Sequence, residues 1–572
     1  MPSEEKRPPA ADEPAPEMGR APRSMLHSVG IVTLMTLISR MTGVAVQMTI
    51  SAMLGATKMG DAFQVAYRLP NMLRRFTAEG TMTAAFLPTL TEVEANEGEA
   101  GAIAFVSDFI GSLAWVLGVI CLAGIVFMAP IIGLQMLGKV APGQPPMEQL
   151  RVLGMVLAGR ADFPPDVSLA NALARIMFPY LVLVSLTACM AAVLNLRNRF
   201  ALAASMSTFG NLMFVATSWA CFRLGPRVWR VPEQAAFVFA CAFLLAGLVQ
   251  FAVLVPSFRR LKFRLGFRLR RKNASVGLAL KRMGPGLLAG GIHPINVLVS
   301  TSLASQLGYG AQTVLNNSNM LGELVLGLFA MSFATVSLPA MSRQAAQGDL
   351  AGVRSNLGTA LRGTAFLAIP AAVGLAVLAH PISAFLFQRG RFTPEAAHWL
   401  AATLPFQALG ILFIATVRIS NQALNALKDY RSPAQAAVIQ FSCNIVFSLL
   451  LMKPLGTRGM ALANSLAAVV GLLFLERRLR QGLGDLPYRR VLTGWGLFGL
   501  GAVGMGILAL GGGHLVDVFT FHGFRGTGLR LFPLMALASL GYFALVKVLR
   551  VKEAEDLTAM IRRKVGAGKS AE

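Results

Sequence analysis

Charged residues and cysteines are scarce in this sequence, and the short motifs typical of enzymes are missing. Of 572 residues, 14% are charged and 55% hydrophobic, whereas a soluble domain has about 25% charged residues. No nucleophile elbow, P-loop or HExxH motif occurs, and the six histidines do not cluster, so neither catalysis nor ATP-driven pumping is expected. The five cysteines lie in or beside apolar runs without a CxxC pair, which argues against disulfides and zinc.

What the chain has instead is a series of apolar runs, each about 20 residues long, which is enough to cross a bilayer as a helix. We count fourteen of them and predict an all-α polytopic membrane protein. Residues 1–26 are rich in proline, alanine and glutamate and lack an apolar core, so we expect a disordered tail rather than a signal peptide.

The net charge of +25 does not indicate a nucleic-acid partner, because the sequence lacks the basic and aromatic surface pattern of such modules. Most Lys and Arg residues fall in loops that share one side of the membrane if the N-terminus is inside. This bias predicts that both termini are cytoplasmic. The basic run at 259–272 either sets this orientation or also contacts anionic headgroups.

An internal repeat relates the first six spans to the next six. The second and eighth spans both end in Leu-Pro followed by a polar segment, and the fourth and tenth carry FPY and LPF. An even number of spans per repeat predicts two bundles related by an axis along the membrane normal, with a central cavity between them. The predicted division is a tail at 1–26, a six-helix bundle at 27–256, a basic linker at 257–282, a six-helix bundle at 283–480, two additional helices at 481–550 and a basic tail at 551–572.

The second span, 61–91, carries unusual polarity. Asp61, Arg68, Arg75 and Glu79 share one stripe of an ideal helix, although Pro70 is expected to break it. Charged groups at membrane depth usually face a bundle interior or a wet cavity. Alternatively, Arg75 and Glu79 reach the interface from near the helix end.

Three further spans contain polar groups at membrane depth. Arg40 lies in the middle of the first span, and Arg418 lies inside the tenth, where a structural role is expected. The eighth span presents Asn316, Asn319 and Glu323 on one face, a pattern suited to sugar hydroxyls or amides. Alternatively, Glu323 pairs with an arginine from the other bundle.

Together these residues predict a binding pocket rather than a catalytic site. Arginine suits bidentate recognition of phosphate, so Arg40, Arg74 and Arg68 predict an anionic ligand with a polar headgroup. No metal site or cofactor is expected.

Several longer stretches resemble the MurJ/MviN family of lipid II flippases, which lies within the multidrug/oligosaccharidyl-lipid/polysaccharide exporter superfamily. The resemblance covers nearly the whole chain, and its most specific motifs are SRxxG at 39–43, GAxxxxDAFxVAYRLPNxLRRxxAEG at 55–80, AFLPTLTE at 85–92, LGLFAMSFATVSLPAMS at 326–342 and FQRGRFT at 387–393.

The resemblance implies fourteen helices in the bacterial inner membrane, with the last two forming a groove for the lipid tail. It implies outward movement of lipid II, an undecaprenyl-diphosphate linked to a disaccharide-pentapeptide, by alternating access. Arg40, Asp61, Arg74 and Glu323 match the family's cavity residues. Lipid II, membrane lipids and the cell-wall synthesis machinery are the implied partners.

The sequence also departs from the family pattern. Val46 and Gln47 stand where an arginine and an acid are usual, and Met320 replaces another arginine. Some members have a proposed sodium site that needs carboxylates on the seventh and eleventh helices. Here those carboxylates are missing, since the seventh helix offers His293 and Asn296 and the eleventh only Asn444. A flippase for another polyprenyl-linked glycan, a cation-coupled exporter of the same superfamily and a non-transporting envelope scaffold are therefore alternatives.

Overall fold

The structure is a computed structural model of the full chain. It describes residues 23–78, 81–197, 199–224, 231–263, 274–486, 488–517 and 523–555, and within these it leaves the side chains of 23–33, 73–78, 81–85, 282–294, 328–336, 513–517, 523–526 and a few single positions undescribed. Arg74, Arg75 and Glu79 therefore lie outside the residues whose side chains are described.

The described chain is helical, and its elements in order are α1 (Arg23–Leu54), α2 (Lys58–Ala78), α3 (Thr81–Val126), α4 (Met128–Gln135), α5 (Leu137–Val140), α6 (Pro146–Leu157), α7 (Pro165–Met177), α8 (Tyr180–Leu196), α9 (Phe200–Leu224), α10 (Pro232–Arg260), α11 (Ala274–Ala304), a 3₁₀ turn (Ser305–Leu307), α12 (Ala311–Ala346), α13 (Leu350–Val377), α14 (Ala379–Phe387), α15 (Pro394–Ala426), α16 (Arg431–Leu455), α17 (Thr457–Leu483), α18 (Tyr488–Asp517) and α19 (Gly523–Val548).

Eleven segments among the described residues are long and apolar enough to cross a membrane. They confirm a polytopic all-α membrane protein. The remaining three of the fourteen predicted spans correspond to α2, α11 and α12, which are helical but more polar or only partly described. The count of fourteen therefore stays a prediction.

The helices form two groups. In the first group (α1 to α10), α1 packs on α9, α2 on α7 and α8, and α10 on α8 and α9. In the second group (α12 to α17), α15 packs on α12, α13 and α17, and α16 packs on α17. α11 lies between the groups because it contacts α3 on one side and α16 on the other. The predicted division of the chain into these bundles stays a prediction.

The last two helices pack together and dock on the second group through α13. Arg362 on α13 makes a two-pronged ion pair with Glu553, with nitrogen–oxygen distances of 2.6 and 3.0 Å. The buried Tyr542 hydroxyl donates to the carbonyl of Phe366 at 2.8 Å. These bonds attach the C-terminal pair to one face of the second group.

The expectation that Pro70 breaks the second span is wrong. α2 continues through Pro70 to Ala78, because a membrane helix tolerates a proline where neighbouring groups satisfy the freed backbone carbonyl. The bend follows later, at Gly98 inside α3, where φ is 72°. A glycine adopts this left-handed conformation without strain.

Candidate functional site

The candidate site lies along the seam, which we define as the boundary where α1 and α2 of the first group face α12 of the second. α12 supplies most of its polar side chains. Asn316, Glu323 and Gly327 fall at helical spacing on one stripe, and the stripe from Asn316 to Gly327 is about 16 Å long at 1.5 Å per residue. An arginine from the first group lies at each end of it.

Arg40 lies at the Gly327 end. Its guanidinium packs against the backbone of Gly327, in the space that a Cβ atom on that residue would occupy. The side chain is half-buried and therefore points across the seam rather than into lipid. The absence of a side chain at Gly327 is what permits this close approach.

Arg68 lies at the Asn316 end, where its Nη2 donates to Asn316 Oδ1 at 2.9 Å. The next residue, Asn317, is fully buried and bonds to α1. Gln47 Nε2 donates to Asn317 Oδ1 at 2.7 Å, and Asn317 Nδ2 donates to Ser51 Oγ at 3.0 Å. Buried amides are costly unless paired, so these bonds hold α1 and α12 in one register.

Asp61 joins the groups most tightly. Its carboxylate accepts from the Gly310 backbone N–H at 2.7 Å, the Thr313 N–H at 2.9 Å and the Thr313 hydroxyl at 2.8 Å, and the residue is 0% exposed. The first N–H groups of a helix lack intrahelical partners and favour an anion. Asp61 therefore caps α12 from the opposite group. In this conformation both carboxylate oxygens are occupied, and its predicted contact with substrate stays a prediction.

Glu323 pairs with Arg418, as Arg418 Nη2 lies 2.9 and 3.0 Å from the two carboxylate oxygens. Arg418 is on α15, so this partner belongs to the same group. The alternative that Glu323 pairs with an arginine from the other bundle stays a prediction. The two side chains are 49% and 32% exposed, respectively. Asn319, one turn away, is also exposed. This part of α12 is the accessible part of the stripe.

The seam is closed at the α1–α2 end, by which we mean the end of the bundle where α1 stops at Leu54 and α2 begins at Lys58. Here the backbones of the two groups touch, since the Arg391 N–H donates to the Ala52 carbonyl at 2.7 Å. Gly390, with φ of 57°, leaves no room for a Cβ atom against Ala52.

A pair of lysines from the first group adds to this closure. Lys58 and Lys139 lie 4.5 and 4.1 Å from the ring centroid of Tyr309, which precedes α12. An ammonium at this distance is attracted by the face of an aromatic ring. Lys139 is 3% exposed, and this burial lowers the pKa of its ammonium.

The two asparagines at the expected sodium-site helices bond to each other. Asn444 Nδ2 on α16 donates to Asn296 Oδ1 at 2.8 Å and to Ser300 Oγ at 3.0 Å, both on α11. No group of three or more His, Cys, Asp or Glu residues that could hold a metal occurs among the described residues. The α11–α16 contact is thus a neutral amide bridge.

Comparison with known proteins agrees with this architecture. The family model described as Lipid II flippase MurJ matches residues 50–522. The chain belongs to the MurJ family. It is 31% identical to the probable lipid II flippase MurJ of Vibrio cholerae over 94% of this chain and 98% of that one. It is 29% identical to the lipid II flippase MurJ of Burkholderia cenocepacia, over 88% and 91% of the two chains.

Among solved structures, a lipid II flippase MurJ in an inward closed conformation superposes with a TM-score of 0.69 and 22% identity, covering 91% of this chain and 98% of that one. This similarity establishes the shared fold. The resemblance found in the sequence is therefore confirmed.

The structure shows where Val46 and Gln47, two departures from the MurJ pattern, lie and what Gln47 contacts. Val46 is buried, and Gln47 bonds to Asn317, so a neutral hydrogen bond stands where the family usually has a charged pair. Asn317 was missed in the sequence, because the spacing argument selected Asn316 and Asn319 on the other face of α12. Its one available signal was the run of polar residues at the start of a predicted span.

Proposed function

We propose that this protein is a lipid II flippase, which moves undecaprenyl-diphosphate-linked disaccharide-pentapeptide from the inner to the outer leaflet for cell-wall synthesis. Its support is the family together with one observation. Arg40, an arginine in the middle of a span, faces the opposite group of helices across the seam, against Gly327. A guanidinium at membrane depth is costly unless it has a function or a partner.

In this proposal, Arg40 and Arg74 hold the diphosphate, with Arg68 near the closed end. Guanidinium groups suit a diphosphate because they donate parallel hydrogen bonds to phosphate oxygens. Asn316, Asn319 and Glu323 face the sugar-peptide part. Arg75 and Glu79 have a secondary role, and Arg418 orients Glu323. The protein binds and releases its cargo without breaking bonds.

We further propose that the protein resides in the bacterial inner membrane with both termini in the cytoplasm. The α1–α2 end is then extracytoplasmic, and this conformation is closed toward the outside. A headgroup enters from the cytoplasmic side and leaves after the α1–α2 end opens. Such a cycle requires different binding in the two states, since equal binding shifts no equilibrium. The last two helices hold the lipid tail, and the cell-wall synthesis machinery takes up the product.

The test is complementation of a strain depleted of its own lipid II flippase. The wild-type chain should restore growth. Arg40→Ala and Arg74→Ala should fail despite normal membrane levels, because the diphosphate loses a cationic partner. Arg160→Ala, at an exposed position outside the helices, is the matched control and should support growth. Rescue by a well-expressed Arg40→Ala variant would contradict the assigned role.

A second candidate is a flippase for another polyprenyl-linked glycan. The smaller number of arginines favours it, since Val46 and Met320 stand where the family usually has an arginine, and a less cationic seam suits a headgroup with less negative charge. Failure of the well-expressed wild-type chain to rescue the depleted strain would support this candidate.

A further inference from the structure

The segment between α3 and α7 folds outside the candidate spans. It contains the short helices α4, α5 and α6 and lies at the α1–α2 end, where α5 carries Lys139 beside Tyr309. Although it belongs to the first group in sequence, it contacts α11 and the 3₁₀ turn at 305–307. Gln306 lies five residues before the start of α12, so this segment of the first group rests on the chain that leads directly into the second group.

Two hydrogen bonds attach the α4–α5 part of this segment. The Gly138 N–H donates to Ser305 Oγ at 2.9 Å, and Ser302 Oγ donates to the Leu134 carbonyl at 2.6 Å. A Cβ atom on Gly138 would come within 2.7 Å of the backbone of Ser305 and Gln306. The two backbones are thus in direct contact.

The second part is attached by a reciprocal pair of amides. Gln306 Nε2 donates to Gln149 Oε1 at 2.7 Å, and Gln149 Nε2 donates to Gln306 Oε1 at 3.0 Å. Gln149 lies on α6 and is 0% exposed. Its Nε2 also donates to the Gln144 carbonyl at 2.9 Å, which fixes the orientation of the amide. Both donors and acceptors of this pair would need new partners if the groups separated.

We propose that the Gln149–Gln306 amide pair is a latch that must separate before the α1–α2 end opens, so that α6 sets the opening rate of the transport cycle. This inference rests on the alternating-access function proposed above. Any movement of the first group away from the second at this end breaks both amide bonds together. Because Gln149 is buried in the closed state, its bonds are replaced by bonds to water only after opening.

The first experiment measures opening without measuring transport. Ser51→Cys places a thiol at a position that is 0% exposed in the seam, in a background with the exposed Cys241 replaced by alanine. Labelling by a membrane-impermeant maleimide from outside reports opening. Gln149→Ala and Gln306→Ala should each raise the labelling rate about tenfold, the effect of two lost hydrogen bonds.

The double variant should label no faster than either single variant, because the same pair is lost in each. Met147→Ala, at a position on α6 that is 78% exposed, is the matched control and should label at the wild-type rate. Unchanged labelling in both single variants, or fully additive effects in the double variant, would overturn the latch.

The second experiment holds the latch shut. Gln149→Cys with Gln306→Cys is bridged by a short, reducible bis-methanethiosulfonate reagent, since a direct disulfide requires Cα atoms closer than about 7 Å. Bridging should stop lipid II translocation in liposomes, and reduction should restore it. Translocation that continues after complete bridging would overturn the proposal. If the unbridged variant and the parent also fail to translocate lipid II, the proposed function fails, while the labelling experiment still decides the latch.

Discussion

Removing the carboxylate of Asp61 should open the α1–α2 end. Asp61→Ala deletes the acceptor for the Gly310 N–H, the Thr313 N–H and the Thr313 hydroxyl. Loss of a helix cap costs about 0.5–2 kcal/mol, and hydrogen bonds to a charged group contribute roughly 1.5–3 kcal/mol each. Water replaces some of these hydrogen bonds once the two groups separate. We therefore expect Asp61→Ala to reduce the stability of the closed arrangement, relative to the open one, by about 3 kcal/mol.

This loss corresponds to a population shift of about 100-fold toward the open arrangement, at 1.4 kcal/mol per factor of ten. The assay is the rate of outside labelling of Ser51→Cys. Asp61→Asn should have a smaller effect, because an amide oxygen still accepts one or two of the bonds. Thr313→Val removes the hydroxyl alone and should raise the rate roughly fivefold, as expected for a loss of about 1 kcal/mol.

Asp162→Asn is the control and should label at the wild-type rate, since this aspartate is exposed in the loop between α6 and α7, in the segment at the α1–α2 end. If a folded Asp61→Ala variant is labelled at the same rate as the wild type, the expected role of Asp61 is wrong. That result would mean that the cap adds nothing to closure beyond the other seam contacts.

Three further predictions concern single contacts. Glu323→Gln should abolish complementation while changing the melting temperature little, because exposed ion pairs contribute about 0–1 kcal/mol. The Glu323→Arg, Arg418→Glu double variant, which exchanges the two charges, should likewise keep the melting temperature near the wild-type value and fail to complement. Gly390→Ala should raise the rate at which Ser51→Cys is labelled from outside. A left-handed backbone conformation costs about 1–2 kcal/mol for a residue with a side chain, and the added Cβ atom would meet Ala52. Glu553→Gln should accelerate hydrogen exchange in α18 and α19, measured by mass spectrometry, and leave α12 unchanged, because only the C-terminal pair depends on Arg362.

The apolar pattern predicts the spans well because lipid imposes one length and one composition on them. It separates the eleven segments that are long and apolar enough to cross a membrane from α2, α11 and α12, whose polar residues face the seam or the other group. The same polarity indicated the site, since Arg40 and Arg68 were selected for being charged at membrane depth. Both lie where the two groups meet.

The pairing of these residues could not be predicted from local patterns. Asp61 and Thr313, or Gln47 and Asn317, are far apart in sequence, and nothing near either residue specifies its partner. Pro70 was misjudged because a proline inside a membrane helix breaks it only when its neighbours cannot stabilise the freed backbone group. The role of Gln149 had no sequence signal, since a glutamine in an amphipathic loop helix is ordinary on a surface.

The proposed function requires that a guanidinium between the two groups of helices binds the diphosphate of a lipid-linked cargo. The most direct measurement is translocation of labelled lipid II by the purified protein in liposomes, compared between the wild type, Arg40→Ala and Arg160→Ala. We expect translocation by the wild type and by Arg160→Ala, and at least a tenfold loss for Arg40→Ala with unchanged folding. Equal translocation by all three proteins would contradict this expectation.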